Sequence, residues 1–362
     1  MMENILFVTS SLAHDGTQTF IMNVYRNLDF NKVHADFLLT NGKETDYSKE
    51  VESNGSTIYV VPSRKKNPIK YYSSLLSFFC KNKSSYHSIH FCYGSLTSIA
   101  VIILAYLYKI PVRILHAHSS SVVGLHNKIL HRLNRNIANW LTNYHYACSE
   151  NAGHFFFNSS FTIIRNGINV DLFSFNNIIR TKVREDLSIP GDYIVWGHVG
   201  RFVELKNHKF ILDVFCEYLQ VNTKAHLLLI GDGELSDIIK EKAKKLCIDD
   251  KVSFLGQRLD VSDLMQAMDC FIMPSVFEGL PFVLVEAQAA GLPCFVSDTI
   301  DNGSKITDNV HFLSLNKKPQ EWARYISFTM NNYERKKQDE IIKGKGFDII
   351  HTAKKLESIY MS

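Results

Sequence analysis

The chain has 362 residues, a formal charge of +4 at pH 7 and 46 % hydrophobic residues. That length suffices for two domains with cores of their own, and so small a charge excludes wholesale nucleic-acid binding. Seven cysteines, an odd number with no Cys-x-x-Cys pair, read as reduced core thiols of a cytosolic protein and exclude a disulfide framework.

Met1 to Ser10 has neither a positive n-region nor a small-residue cleavage site, and its apolar run Ile5 to Val8 predicts a first strand. The longest apolar stretch, Ile99 to Tyr108, is about half of what a bilayer requires, so no membrane span is expected. Short β-branched and aromatic runs predict further strands at Ala35–Thr40, Thr57–Val61, Ser88–Cys92, Val112–His116, Tyr144–Cys148 and Phe161–Ile164. Helical patterns separate several of them, at Thr17–Leu28, Ile69–Cys80, Leu96–Tyr108 and Leu125–Leu141.

The second half restarts the rhythm, with strands at Tyr193–Val199, His226–Ile230, Lys251–Leu255, Cys270–Met273, Cys294–Ser297 and His311–Leu313. Its helices are expected at His208–Gln220, Glu234–Leu246, Val261–Met268, Phe282–Ala290 and Pro319–Asn331. Alternating strands and helices imply an α/β protein of two doubly wound parallel sheets. The polar segment Val170–Pro190, without clear periodicity, is expected to be the joint.

In such sheets ligands bind beyond the carboxyl ends of the strands, so the loops that follow strands carry the chemistry. Those loops hold Gly16-Thr17 after the first strand, and His116, His118 and Ser119 after the fifth. In the second half they hold Arg201 and Lys206, then Gly231-Asp-Gly233-Glu234, Gly256-Gln-Arg258, and Ser275 through Pro281.

Two acids stand out. Glu278 and Glu286 lie in an otherwise apolar segment, and around Glu286 at helical spacing are Phe282, Val283, Ala289 and Ala290. A carboxylate stranded there costs several kcal/mol unless a polar ligand meets it or its pKa shifts. Gly279-Leu280-Pro281 opens the helix, since proline suits a first turn, and the free backbone donors of that turn suit a phosphate. Arg201 and Lys206 add two cations. Arg201 read alone pairs with Glu204 or caps a strand; read with the helix start and the two acids, it belongs to a diphosphate site.

The series Gly200-Arg201, Lys206-Asn207, Gly231-Asp-Gly-Glu234, Phe254-Leu-Gly256, Pro274-Ser275, Glu278-Gly-Leu-Pro281 and Glu286-Ala287 resembles the second domain of the family 4 retaining glycosyltransferases. In the first half Val8-Thr-Ser-Ser11, Arg113-Ile-Leu-His116-Ala-His118-Ser119, Ala147-Cys-Ser149-Glu150 and Asn166-Gly-Ile168 are similar to members that build bacterial capsular and exopolysaccharides. The resemblance covers almost the whole chain and implies the GT-B fold, two facing Rossmann-like domains with an interdomain cleft. It implies an acceptor-binding domain over 1–170, a nucleotide-sugar-binding domain over 171–345, and a closing helix over 346–362 that packs back on the first domain.

By the same resemblance Glu286 binds the ribose hydroxyls and Glu278 sits by the donor sugar, while Arg201 and Lys206 neutralise the departing diphosphate. The backbone of Gly279, Leu280, Pro281 and Phe282 approaches the sugar and phosphates, Arg258 borders the base, and Gly16 and Gly233 line the donor or acceptor. One of His116 and His118 meets the transferred sugar; His118, next to Ser119 in the loop proper, is favoured, and the bland reading makes either a core histidine. The first loop departs from the family pattern, with Asp15-Gly16-Thr17-Gln18 where two glycines and a glutamate are common, and Asn169 stands where an aspartate usually follows Asn-Gly-Ile.

No Asp-x-Asp triplet and no His/Cys cluster of metal-ligand spacing occurs, so no metal and no cofactor beyond the donor are expected. Gly231-Asp-Gly233 begins a dinucleotide fingerprint, but Ser236 replaces its third glycine, which disfavours nicotinamide enzymes. Leu125, Ile129, Leu133, Ile137 and Leu141 fall at four-residue steps, interleaved with Lys128, His131, Arg132 and Arg135. This pattern fits either a core-facing helix with a solvated basic side or a membrane-surface contact. Arg64-Lys-Lys66, Lys70 and Tyr71-Tyr72 form a second basic-aromatic patch.

The expected activity is retaining transfer of a hexosyl group from a UDP-sugar to a hydroxyl of a lipid-linked saccharide, in capsular, exopolysaccharide or O-antigen synthesis. The protein is expected in the cytoplasm, peripheral on the inner face of the membrane. Rival readings are a non-hydrolysing UDP-sugar epimerase of the same fold and a non-catalytic nucleotide-sugar-binding subunit of a synthase.

Overall fold

The computed structural model describes residues 2–13, 16–41, 45–82, 84–278 and 280–362, and of Asp46 the backbone alone. Gly279, expected at the donor phosphates, lies outside the described residues. The chain forms two compact units, residues 1–167 with 348–362 and residues 168–347.

The first unit is built on seven strands, β1 (Glu3–Thr9), β2 (Val33–Leu39), β3 (Ile58–Val60), β4 (Ser88–Tyr93), β5 (Val112–Ala117), β6 (Tyr144–Ala147) and β7 (Thr162–Ile163), in the order β3-β2-β1-β4-β5-β6-β7. All pairs are parallel. Its helices are α1 (Gly16–Tyr25), α2 (Asp46–Ser53), α3 (Pro68–Asn82), α4 (Ala100–Leu107), α5 (Leu125–Leu141) and α6 (Glu150–Phe156). Strands covered on both faces read as continuous apolar runs, and Ile5 to Val8 have no exposed surface.

The second unit holds α7 (Val170–Phe173), α8 (Asn177–Asp186), β8 (Ile194–Val199), α9 (His208–Leu219), β9 (Ala225–Ile230), α10 (Ser236–Lys245), β10 (Val252–Phe254), α11 (Val261–Ala267), β11 (Cys270–Met273), α12 (Phe282–Ala289), β12 (Cys294–Ser297), β13 (Val310–Leu313), α13 (Pro319–Asn331) and α14 (Asp339–Gly344). Its parallel sheet runs β10-β9-β8-β11-β12-β13. The last helix, α15 (Ile349–Tyr360), belongs to the first unit. There Tyr360 meets Phe7 edge-on at 6.0 Å, and Glu357 accepts from the Asp29 backbone N–H at 2.9 Å and from Lys32 Nζ at 3.2 Å.

Two expectations need correction, on the joint and on the thiols, and one open alternative, on α5, is decided. The segment Val170–Pro190, taken as a polar joint, forms α7 and α8 within the second unit. Arginine anchors order it in place of an apolar stripe: Arg180 and Arg184 both bind Asp269, at 2.7 and 2.6 Å. On α5 the four-residue stripe faces outward, with Leu125, Ile129, Leu133 and Ile137 exposed and only Leu141 of the five buried. The core face is His131, Ala138 and Leu141. His131 accepts from the Leu96 N–H at 3.1 Å, donates to the Phe155 carbonyl at 3.0 Å and stacks on the Phe155 ring at 3.9 Å, so a polar ring does the packing that the leucines would do in a core-facing stripe. Of the seven thiols, Cys80 and Cys247 are exposed.

In each sheet the strand order reverses beside the first strand of the unit, between β1 and β4 and between β8 and β11. Loops leaving the carboxyl ends of such neighbouring strands run to opposite faces and leave a crevice between them.

Candidate active site

In the second unit the crevice lies between the loop after β8, residues 200–207, and the loop after β11, residues 274–281. Backbone and side chains tie the two loops together. Val276 N–H donates to the Leu205 carbonyl at 2.8 Å, and Asn207 Nδ2 to the Pro274 carbonyl at 3.2 Å. Asn207 stands at φ +56, a left-handed conformation that asparagine tolerates, and there the short 3-10 turn Glu204–Lys206 gives way to α9. The Ser275 carbonyl is held from a third loop, by the hydroxyls of Ser297 at 2.5 Å and Thr299 at 2.9 Å.

Across this junction Lys206 Nζ lies 2.6 Å from Glu278 Oε1, with only 18 % and 15 % of the two side chains exposed. The Lys206 stem passes over Gly200: a Cβ there would lie 3.5 Å from Lys206 Cδ and 3.0 Å from His198 Nε2. Arg201, by contrast, is exposed, and its guanidinium has no partner among the described residues. Glu204, the alternative partner weighed for it, pairs with Lys209 at 2.7 Å. Among the described residues the crevice thus presents one restrained cation and one free one.

Pro281 precedes α12 by one residue, at the cap position where the sequence suggested the first turn, and no side chain caps this helix. Leu284 and Val285 N–H groups turn back to the Pro281 carbonyl at 3.1 and 3.4 Å. Leu280, Pro281 and Phe282 are half-buried. One turn on, Glu286 is half-buried with no hydrogen bond or ion pair among the described residues, and desolvation pushes its carboxyl up to about 7. An acid so shifted is a candidate for binding a polar ligand. The buried Ser275 hydroxyl likewise has no partner among the described residues.

Two expected contacts have structural reasons of their own. A Cβ on Gly233 would meet the Phe202 carbonyl oxygen at 2.6 Å, so close loop packing alone requires glycine there. Arg258, on the loop after β10, is clasped by Asp260 at 2.7 and 2.5 Å and is exposed.

Sequence reading missed His198 and His208, which flank the Arg201–Lys206 loop. His198 Nδ1 donates to the Ile272 carbonyl at 2.8 Å, its ring lies 4.7 Å from that of His208, and both rings are buried. Burial and neighbouring Lys206 bring His208 down to about 4; burial and His208 hold His198 well below its ordinary value. Strand alternation put His198 inward, but nothing in the spacing showed that His208 would face it.

In the first unit the loops after β1 and β4 border a cavity of about 410 Å3 lined by Thr9, Ser10, Thr17, Gln18, Thr40, Tyr71, Cys92, Tyr93, Gly94, Ser95, Thr97 and Ser98. Among the described residues its walls are rich in hydroxyls and carry no charge. Gly16 is the exposed first residue of α1. The rings of His116 and His118 lie with centroids 4.2 Å apart, tilted by 36°. His116 is fully buried and its Nδ1 lies 3.2 Å from His90 Nε2, whose own Nδ1 meets the Tyr360 hydroxyl at 2.7 Å. Both ring nitrogens of half-buried His118 are without partners among the described residues, and burial takes it down to about 3.

The family model described as "Glycosyl transferases group 1" matches residues 179–345. EpsF of Bacillus subtilis strain 168, named as a glycosyltransferase, is 33 % identical over 343 residues, 90 % of this chain and 87 % of its own. The chain belongs to the family 4 glycosyltransferases. The capsular polysaccharide biosynthesis glycosyltransferase CapH of Staphylococcus aureus is 25 % identical to this glycosyltransferase over all of the chain and 99 % of its own. An Escherichia coli UDP-Gal:alpha-D-GlcNAc-diphosphoundecaprenol alpha-1,3-galactosyltransferase is 25 % identical over 210 residues, 55 % of this chain and 54 % of its own. Among solved structures HepE of Anabaena, in complex with UDP, superimposes with a TM-score of 0.77 at 18 % identity, covering 99 % of both chains. The glycosyltransferase therefore has the two-domain Rossmann-like GT-B fold that its motifs implied.

Proposed function

We propose that this glycosyltransferase moves a hexosyl group from a UDP-sugar to a hydroxyl of a lipid-linked saccharide, with retention of configuration, during synthesis of a bacterial surface polysaccharide. The observation that carries the reading is the Lys206–Glu278 pair at 2.6 Å, set between two loops at a topological switch point. In this reading Lys206 and Arg201 take up the charge of the departing diphosphate, so no divalent ion is required. Glu278 holds Lys206 in place and borders the sugar, and the ribose hydroxyls satisfy Glu286. The acceptor hydroxyl attacks from the face that the diphosphate leaves, and a diphosphate oxygen receives its proton. His118, whose ring nitrogens lack partners, is the histidine assigned to the transferred sugar.

The donor class is supported by the UDP complex of HepE, the lipid-linked acceptor by the name of the Escherichia coli relative, and the polysaccharide by that of CapH. The hydroxyl-lined cavity beside β1 and β4 suits a sugar. Among the described residues no helix is long and apolar enough to cross a membrane; a lipid-linked acceptor would be met from the bilayer surface.

A panel of nucleotide-sugars tests the donor. A UDP-sugar should raise the Tm in the presence of EDTA, as a ligand of the folded state must, and ADP- or GDP-sugars should not. The anomeric configuration of the product, read by NMR, tests retention. Failure of every UDP-sugar to stabilise the protein refutes the reading.

A further inference from the structure

Among the described residues nothing covers the outward face of α5. Leu125, Ile129, Leu133, Ile137 and Trp140 are 75, 51, 65, 48 and 71 % exposed. Five large apolar side chains in one stripe exceed the scattered singles normal on a soluble surface. The face continues onto α4, where Leu107 is exposed and the Tyr106 ring lies 5.3 Å from that of Trp140.

Charge narrows what can cover it. From Ser53 to Ser149 the sequence contains no aspartate or glutamate, but eleven lysines and arginines. This span includes the whole of α3, α4 and α5. Lys128 and Arg132 on α5 are exposed and have no ion-pair partner among the described residues. A second copy of the chain on this face would set like charges against each other, so self-association is disfavoured. An anionic lipid surface satisfies both features: leucines and isoleucines enter the boundary between headgroups and acyl chains, the tryptophan sits at headgroup depth, and the cations meet lipid phosphates.

We propose that the α4–α5 face is a membrane-docking surface for anionic phospholipid. The loop that carries His118 runs directly into α5, so docking would hold that loop close to the bilayer that carries a lipid-linked acceptor. Only that last step rests on the function proposed above; the lipid contact itself does not.

The chain carries its own probe. Trp196 and Trp322 have no exposed surface, so a change in tryptophan emission on adding vesicles reports Trp140. The intact protein should sediment with vesicles of phosphatidylcholine and phosphatidylglycerol, much less with phosphatidylcholine alone, and its emission should shift to the blue. Ile129→Glu with Leu133→Glu should lower vesicle affinity about tenfold or more, as loss of an inserted apolar face must, and Lys128→Glu with Arg132→Glu should remove the preference for anionic lipid. All four positions are exposed, and an unchanged Tm and unchanged UDP binding in the variants would show the fold and the donor site intact. Equal recovery on both vesicles, an unshifted emission, or wild-type affinity in the Ile129/Leu133 variant overturns the proposal. So does a wild-type dimer that the same variant splits. Lipid binding without UDP binding would overturn the proposed donor and leave the docking surface standing.

Discussion

Lys206 and Glu278, from loops that follow different strands, meet at 2.6 Å with less than a fifth of either side chain exposed. Withdrawing both charges from water costs about as much as their attraction returns, so stability alone gives little reason to keep such a pair. A cation held ready for a diphosphate gives one. Lys206→Ala and Glu278→Ala should each lower turnover by about two orders of magnitude or more, as loss of preorganised charge typically does. In the double variant the losses should fall short of additive, since the two groups act as one unit. Initial rates of donor hydrolysis and transfer measure this, and near-wild-type rates in both single variants would discredit the site.

Glu286 ties stability to pH. Because burial raises its carboxyl from 4.5 to about 7, the folded chain holds a proton that the unfolded chain gives up. Its favourable contribution is complete below pH 4.5 and is lost as the pH rises through 7. Glu286→Gln should leave stability unchanged at pH 4.5 and raise it at pH 8 by about 1–3 kcal/mol, while weakening binding of the nucleotide. Urea denaturation at the two pH values is the measurement; an equal difference at both would contradict the assignment.

His208 acts with the opposite sign. Its value of about 4 lies below the ordinary 6.5, so the unfolded chain takes up a proton first and stability falls as the pH drops from 6.5 to 4. His208→Gln should flatten that part of the stability profile, seen as a smaller loss of Tm between pH 7 and pH 5. A slope as steep as that of the wild type would show that His208 is not among the groups responsible.

Asp269 anchors α8. It accepts from Arg180, from Arg184, whose side chain is 5 % exposed, and from the Val195 N–H at 2.7 Å. Asp269→Ala strands a buried guanidinium and should cost about 3–5 kcal/mol in chemical denaturation, against a smaller loss for Arg180→Ala at the more exposed partner.

In the first unit Tyr360→Phe removes the hydroxyl that meets His90 Nδ1 at 2.7 Å. A buried ring nitrogen left unpaired should cost about 1–3 kcal/mol. UDP affinity should not change, because the proposed donor site lies in the other unit.

Every predicted strand is present, and α5 and α13 begin and end where their patterns did, because apolar runs in a sheet covered on both faces and heptad-like spacing are local signals. Which side of α5 faces the core was not local. A four-residue stripe has one apolar face whether a sheet or a lipid covers it, and the choice was made by His131, whose fit depends on Leu96 and Phe155. Helix α8 escaped notice for a related reason: Asp269, which anchors it, lies far along the chain. Arg201, Lys206 and Glu278 were legible as unusual residues in strand-following loops, and Glu286 as an acid in an apolar helix. The ion pair itself depends on the sheet order that sets β8 beside β11.

The first unit is finished by residues that follow the whole of the second unit in the chain. Tyr360 and Glu357 of α15 close contacts with β1, β4 and the turn before β2, so the nascent N-terminal half emerges from the ribosome without the helix that completes its sheet. At translation rates of about 5–20 residues per second it waits roughly 10–40 s for that helix. During that interval the apolar seat of Tyr360 is open, which makes this half, of the two, the natural client of a chaperone.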